Sequence, residues 1–274
     1  MKSSYVILAL LILHIVSIII ISGCKKVDPV PVLPAGTVSL SFDHCIDGSP
    51  FIQNQLIYTN EAGNPYLITE VKYFISDIVF YQTTGATVRV NSPKDIFYID
   101  EDLPSTKTLT ILNPVPAGSY DSVSFIFGIS EEKNKSYMFA NPPEVFMGWP
   151  EVLGGGYHYM MMNGKWQDTA GIIRPFNFHL GIGQLYHGTE YNVDSIYAFV
   201  PNNFRVSLPG SAFTMRDQES LALGIVMNIE SWFSTPHIYN HNYWGGGIMQ
   251  KQPAMQMAKE NGYDVFTFRK SLTK

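Results

Sequence analysis

Val38-Ser39-Leu40-Ser41-Phe42-Asp43-His44 places Val, Leu, Phe and His on one side of an extended chain and Ser, Ser and Asp on the other. That two-residue period is a strand with one face toward a core, and Asp47-Gly48-Ser49-Pro50 closes it with turn residues. Working outward, the same grammar recurs. Val71 to Tyr81 is rich in β-branched and aromatic residues and forms one long strand or two. Thr87–Val90, Asp95–Asp100, Lys107–Leu112, Ser122–Ile129, Ile172–Leu180, Tyr191–Val206, Leu221–Ile229 and Asp264–Arg269 read as further strands. Helical signals reduce to Pro253 to Gly262, where Pro opens a run of good helix formers and Asn-Gly stops it. The fold expected is all-β, an antiparallel β-sandwich or jelly-roll-like single domain with one short C-terminal helix.

The N-terminus carries an address. Lys2 precedes an apolar run from Tyr5 to Ile21, and Ile21-Ser22-Gly23-Cys24 has the form of a bacterial lipobox. Residues 1–23 therefore read as a lipoprotein signal peptide. Residues 24–36 read as a lipidated Cys24 followed by a Pro-rich tether. Residues 37–270 are left for the β-rich domain. Acylation at Cys24 would anchor the mature chain to a lipid bilayer of the bacterial cell envelope, with the outer membrane favoured over the inner.

Charged residues make up 15% of the chain and aromatics 14%, against a usual charged share of about 25%. A large core under a thinly charged surface follows. The net charge is −5 and Lys and Arg nowhere cluster, which argues against a nucleic-acid partner. Cys45 is left without an intrachain partner and reads as a small apolar residue. There is no Gly-x-Ser-x-Gly elbow, and Glu131-Glu132 and Asp100-Glu101-Asp102 read as solvated surface, so no catalytic pair emerges.

The densest chemistry lies between Phe146 and Met162, which holds Trp149, Gly154-Gly155-Gly156, His158 and Met160-Met161-Met162. His, thioether and aromatic groups together suit copper. At strand period only Met160 with Met162, or Met161 alone, can look toward His158; core filling is the plainer role for the Met run. His44 shares a face with core residues, while His179 alternates with Phe176 and Phe178. His237 and His241 fall in a loop and are expected to be exposed or bridging. Local spacings such as Cys-x-x-Cys are missing, so any metal site must be assembled from distant strands.

The ordered landmarks Phe42-Asp43-His44, Tyr73-Phe74-Ile75-Ser76-Asp77, Phe127-Gly128-Ile129, Met147-Gly148-Trp149, Gly156-Tyr157-His158-Tyr159-Met160, Phe178-His179-Leu180-Gly181 and Glu260-Asn261-Gly262-Tyr263 resemble the MbnP-like family, named for the methanobactin partner protein. The resemblance implies a periplasm-facing β-rich copper-binding protein that is not itself an enzyme. It also implies a partner resembling di-haem cytochrome c peroxidases, which in relatives oxidises a tryptophan to kynurenine; Trp149 is the matching position. Gly148 stands where the family has an aromatic, and Glu151 where it has a second Trp. The metal ligands implied are His44, His158 and His179. A second reading puts Trp149 on an exposed contact surface for that partner. A third makes the chain a non-metal surface module for glycan or protein, built on Tyr239, Tyr243 and Trp244.

Overall fold

The computed structural model describes residues 33–90, 95–188 and 191–270. Cys24 and most of the tether lie outside the described residues. Pro34–Lys274 forms one compact unit. Among the described residues no helix is long and apolar enough to cross a membrane.

The fold is all-β, as the alternation requires. A nine-stranded sheet runs Ile173–Leu180, Met160–Gln167, Pro65–Gln82, Gly118–Phe127 and Phe204–Leu208, with four short strands attached along it. A six-stranded sheet is centred on Ala35–Ile46, flanked by Ser220–Asn228 and then Phe266–Lys270. Ile182–Tyr186 and Ile196–Pro201 form a separate antiparallel pair. Ladders are antiparallel except that Ala35–Ile46 and Ser220–Asn228 run parallel, in register from Thr37↔Ser220 to Cys45↔Asn228.

The two main sheets meet face to face through aromatic edges. Phe42 and Phe266 of one sheet meet Phe125 of the other at ring separations of 6.3 and 5.2 Å. Val38, Leu40, Phe42 and His44 are all buried, as their shared face predicts. The run Val71–Tyr81 belongs to a single strand, Pro65–Gln82, rather than two. Its register shifts between Ser76 and Val79, where Asp77 takes a φ of +52° and its carboxylate binds Lys133. A bulge lets a long strand bend without ending.

Adjacent residues of that strand face opposite ways, and both faces are covered. Tyr73 looks into the sandwich, against Phe127 and Phe266. Phe74 looks out, where Phe139 stacks on it at 5.4 Å and Tyr157 meets its edge. The excursion from Ser130 to His158 is thus a cover over the outer face, and it carries Trp149 and His158 to the sheet.

Some expectations need correction. Tyr191–Val206 is not one strand; Ile196–Pro201 and Phe204–Leu208 lie in different sheets. Asn202 between them is fully buried, and its amide holds the Gly181 carbonyl and the Gln252 side chain. The C-terminal helix, Gln252–Asn261, forms where Pro253 predicted it, but a one-turn helix, His241–Trp244, precedes it. Asp100 and Glu101 are not solvated surface: the Tyr98 hydroxyl donates to buried Asp100, and Glu101 pairs with His44 and Lys107.

Candidate metal centre

Gly154, Gly155 and Gly156 all have positive φ, at +114°, +66° and +78°. A Cβ on Gly155 would lie 2.6 Å from Ser136 Oγ, and one on Gly156 2.6 Å from the Asn134 amide. Three successive left-handed residues packed this closely can only be glycine. The turn folds Gly156–His158 back along Met147–Trp149: Trp149 N donates to Gly156 O at 2.8 Å, and His158 N to Met147 O at 2.7 Å. Trp149 and His158 are thereby brought edge to face with ring centres 4.6 Å apart.

Trp149 is 3% exposed. Its Nε1–H donates to Leu153 O at 3.0 Å. Its six-membered ring lies on Gly181, where a Cβ would fall 2.5 Å from it. The reading of Trp149 as an exposed contact surface is therefore overturned: the turn and the Gly181 cradle enclose it.

His179 comes from the edge strand Ile173–Leu180, in register with Met161, which is in register with Lys72. Its ring centre lies 5.0 Å from that of His158, nearly perpendicular. Both rings are buried. Burial is the main reason His158 is pushed down to about 4; for His179, burial followed by the His158 charge pushes it down to about 3. Both imidazoles are neutral at neutral pH.

Hydrogen bonds set their tautomers. Met147 O can only accept, so His158 Nδ1 carries the proton it donates at 3.0 Å, leaving the lone pair on Nε2. For His179 the chain is one residue longer. Glu70 can only accept, so it takes the Asn163 Nδ2–H and fixes the amide. Asn163 Oδ1 then accepts from His179 Nε2–H at 2.8 Å. The lone pair falls on His179 Nδ1, which is buried and has no hydrogen-bond partner. Two neutral imidazoles, each oriented by an acceptor behind it and each with one bare nitrogen, are the usual form of a histidine metal pair.

His44 is not part of this pair. Its Nδ1 meets Glu101 at 2.5 Å and its ring meets Tyr73 edge to face at 5.7 Å, inside the sandwich. Lys72, on the opposite face of its strand from Tyr73, puts its charge near both His158 and His179. Among the described residues no group of three or more His, Cys, Asp or Glu is placed to hold one metal ion. The convergence of His44, His158 and His179 is corrected to His158 with His179, because strand alternation sends His44 to the inner face.

The methionines sort as the period requires. Met160 and Met162 are fully buried in the core, and Met161 is half-buried beside His179. His241 is neither exposed nor bridging: it is fully buried among Phe176, Phe233, Tyr239 and Trp166. Tyr239 is buried too, which removes it from any exposed aromatic surface. His237 pairs with Glu260 at the surface. The roles of Glu70 and Asn163 escaped sequence reading. The signal for Asn163 is its place two residues after Met161 on one face of a strand; Glu70 has no local signal.

The MbnP family model matches residues 35–250. This chain belongs to the MbnP family. Among solved structures, MbnP from Methylosinus trichosporium is 13% identical with a TM-score of 0.57, covering 87% of this chain and 99% of that one. At that identity the likeness is one of fold. No curated protein matches. The family match spans the nine-stranded sheet, the six-stranded sheet except Phe266–Lys270, the covering excursion and the histidine pair of this MbnP-family chain.

Proposed function

We propose that this chain is a copper-binding protein of the cell envelope, acting by binding rather than by catalysis. His158 Nε2 and His179 Nδ1 supply the protein ligands, and Trp149 forms the wall beside them. The observation that carries the reading is the pair of preset neutral tautomers. Two imidazole nitrogens without a carboxylate or thiolate suit a borderline or soft ion, copper before calcium or magnesium. When bound, copper would supply a redox-active or transferable ion. The chain's part is to hold the imidazoles neutral, orient them through Met147 O and Asn163, and keep bulk water away with Trp149 and the glycine turn.

Family membership extends the reading to a di-haem peroxidase-like partner and to oxidation of Trp149. Its ring is 4.6 Å from His158, so a group made from it would adjoin the histidine pair. Lipidation of Cys24 would hold the protein at the membrane.

The test is copper stoichiometry by elemental analysis of purified mature protein, wild type against His158→Ala and His179→Ala. Equal copper in all three would sink the ligand assignment. Mass analysis of the Trp149 peptide, from protein made with and without its partner enzyme, tests the modification.

A further inference from the structure

We infer that a second site, a cleft between the Ile182–Tyr186/Ile196–Pro201 strand pair and the Tyr243–Pro253 segment, binds a neutral oligosaccharide. The cleft has a volume of about 670 Å³ and is lined by Gln184, Tyr197, Tyr243, Trp244, Gln250 and Lys251, among others. That size suits a small ligand.

Gln184 carries the inference. It is 1% exposed, and its Nε2 donates to Leu153 O at 2.8 Å and to Ile182 O at 2.5 Å. Two carbonyls fix the amide orientation, because a flipped amide would set oxygen against oxygen. The Oε1 is left buried with no partner. A buried acceptor without a donor is destabilising. Gln184 belongs to the cleft lining, and a ligand hydroxyl that displaces the cover over Oε1 would supply that donor.

The walls suit a sugar. Tyr243 is 76% exposed and Tyr197 54%, and both are held by a neighbouring ring: Trp244 edge-on to Tyr243 at 4.8 Å, His187 stacked on Tyr197 at 4.1 Å. Such pre-positioned aromatic faces, negative at the centre, receive the C–H faces of a pyranose at little entropic cost. Lys251 gives one hydrogen bond to Trp244 O and has two donors left. No Asp or Glu is among the described lining residues. Fixed aromatics, side-chain amides and an unfilled acceptor fit a polyhydroxylated ring better than an apolar ligand.

The experiment uses metal-free mature protein, so it does not depend on the copper reading. Maltotriose, cellotriose, xylotriose and mannotriose are titrated while the Trp244 indole and the Tyr ring signals are followed by NMR. At least one trisaccharide is expected to saturate at millimolar concentration. Tyr243→Ala and Tyr197→Ala, both at exposed positions, are each expected to weaken it about fivefold or more without changing Tm. Three results overturn the proposal: no saturable shift with any trisaccharide, affinity unchanged in both variants, or occupation of the cleft by a Pro-rich decapeptide while every sugar is ignored.

Discussion

Asn163 stands between Glu70 and His179, and it converts a surface carboxylate into a tautomer choice at a buried imidazole. The carboxylate fixes the amide, the amide oxygen takes the Nε2 proton, and the lone pair is left on the buried, unpartnered Nδ1. No residue of this relay need touch a metal for the metal's affinity to depend on it.

Glu70→Gln is therefore expected to lower copper affinity by about 10- to 100-fold with little change in stability. Gln can offer the Asn163 amide either a donor or an acceptor, so the His179 tautomer is no longer dictated. Competition with a copper chelator gives the affinity. Long-range ¹⁵N NMR of metal-free protein gives the tautomer: Nε2–H alone in the wild type, a mixture in the variant. A single unchanged tautomer with unchanged affinity would refute the relay.

Gly181→Ala is expected to damage the site without removing a ligand. The added Cβ would sit 2.5 Å from the Trp149 ring, and that ring is hemmed by His158 and anchored to Leu153. Overpacking of this kind costs about 1–3 kcal/mol. A shifted Trp emission spectrum together with reduced copper content is the expected outcome. Normal copper with a shifted spectrum would separate Trp149 from the binding site.

The sheets were legible because each strand shows its buried face to anyone counting by two. Val38, Leu40, Phe42 and His44 point inward as their alternation says. The same rule, applied to Tyr73 and Lys72, forbids His44 from joining His158 and His179, but it needs the pairing of Pro65–Gln82 with its neighbours to be known. Pairing between strands about ninety residues apart leaves no local trace. Tyr191–Val206 misled because Asn202 and Asn203, which part it into two strands, are held by the Gln252 side chain and the Ile129 carbonyl from elsewhere in the fold. His241 misled in the opposite way. Its neighbours Asn240, Asn242 and Gly245 read as a loop, and the aromatic cage that buries it comes from four separate segments.

His241 offers a test of that cage through pH. Both ring nitrogens are buried and without hydrogen-bond partners, and burial pushes its pKa down to about 3. In the unfolded chain a histidine titrates near 6.5. Below about pH 6.5 the unfolded state therefore binds a proton that the folded state does not, and stability falls toward acid until about pH 3. The slope from this one group is at most about 1.4 kcal/mol per pH unit. His241→Phe keeps a ring against Phe176 and Trp166 and abolishes the titration. It is expected to be at least as stable as wild type at pH 7, with an advantage that widens at pH 5, both measured by urea unfolding. A gap that stays constant between the two pH values would contradict a buried neutral His241.

His44→Ala separates structure from metal binding. The His44 side chain is fully enclosed, and its imidazole is one of two donors to Glu101, Lys107 being the other at 2.9 Å. Burial raises the Glu101 pKa, but the bonds from His44 and Lys107 outweigh it and hold the carboxyl down at about 2. A depressed carboxylate stabilises the fold above its unfolded pKa, near 4.5, and that stability is lost as pH falls toward about 2. Removing His44 opens a cavity beside Tyr73 and leaves Glu101 with Lys107 alone, at a cost of about 2–4 kcal/mol. The acid-induced loss of stability between about pH 4.5 and pH 2 should also shrink, because the Glu101 pKa rises toward its ordinary value. Copper content should not change, since His44 faces the inside of the sandwich and the histidine pair lies with Lys72 on the other face. Loss of copper in His44→Ala, with the Tyr and Trp spectra of the folded protein intact, would restore His44 to the site and refute the two-histidine assignment.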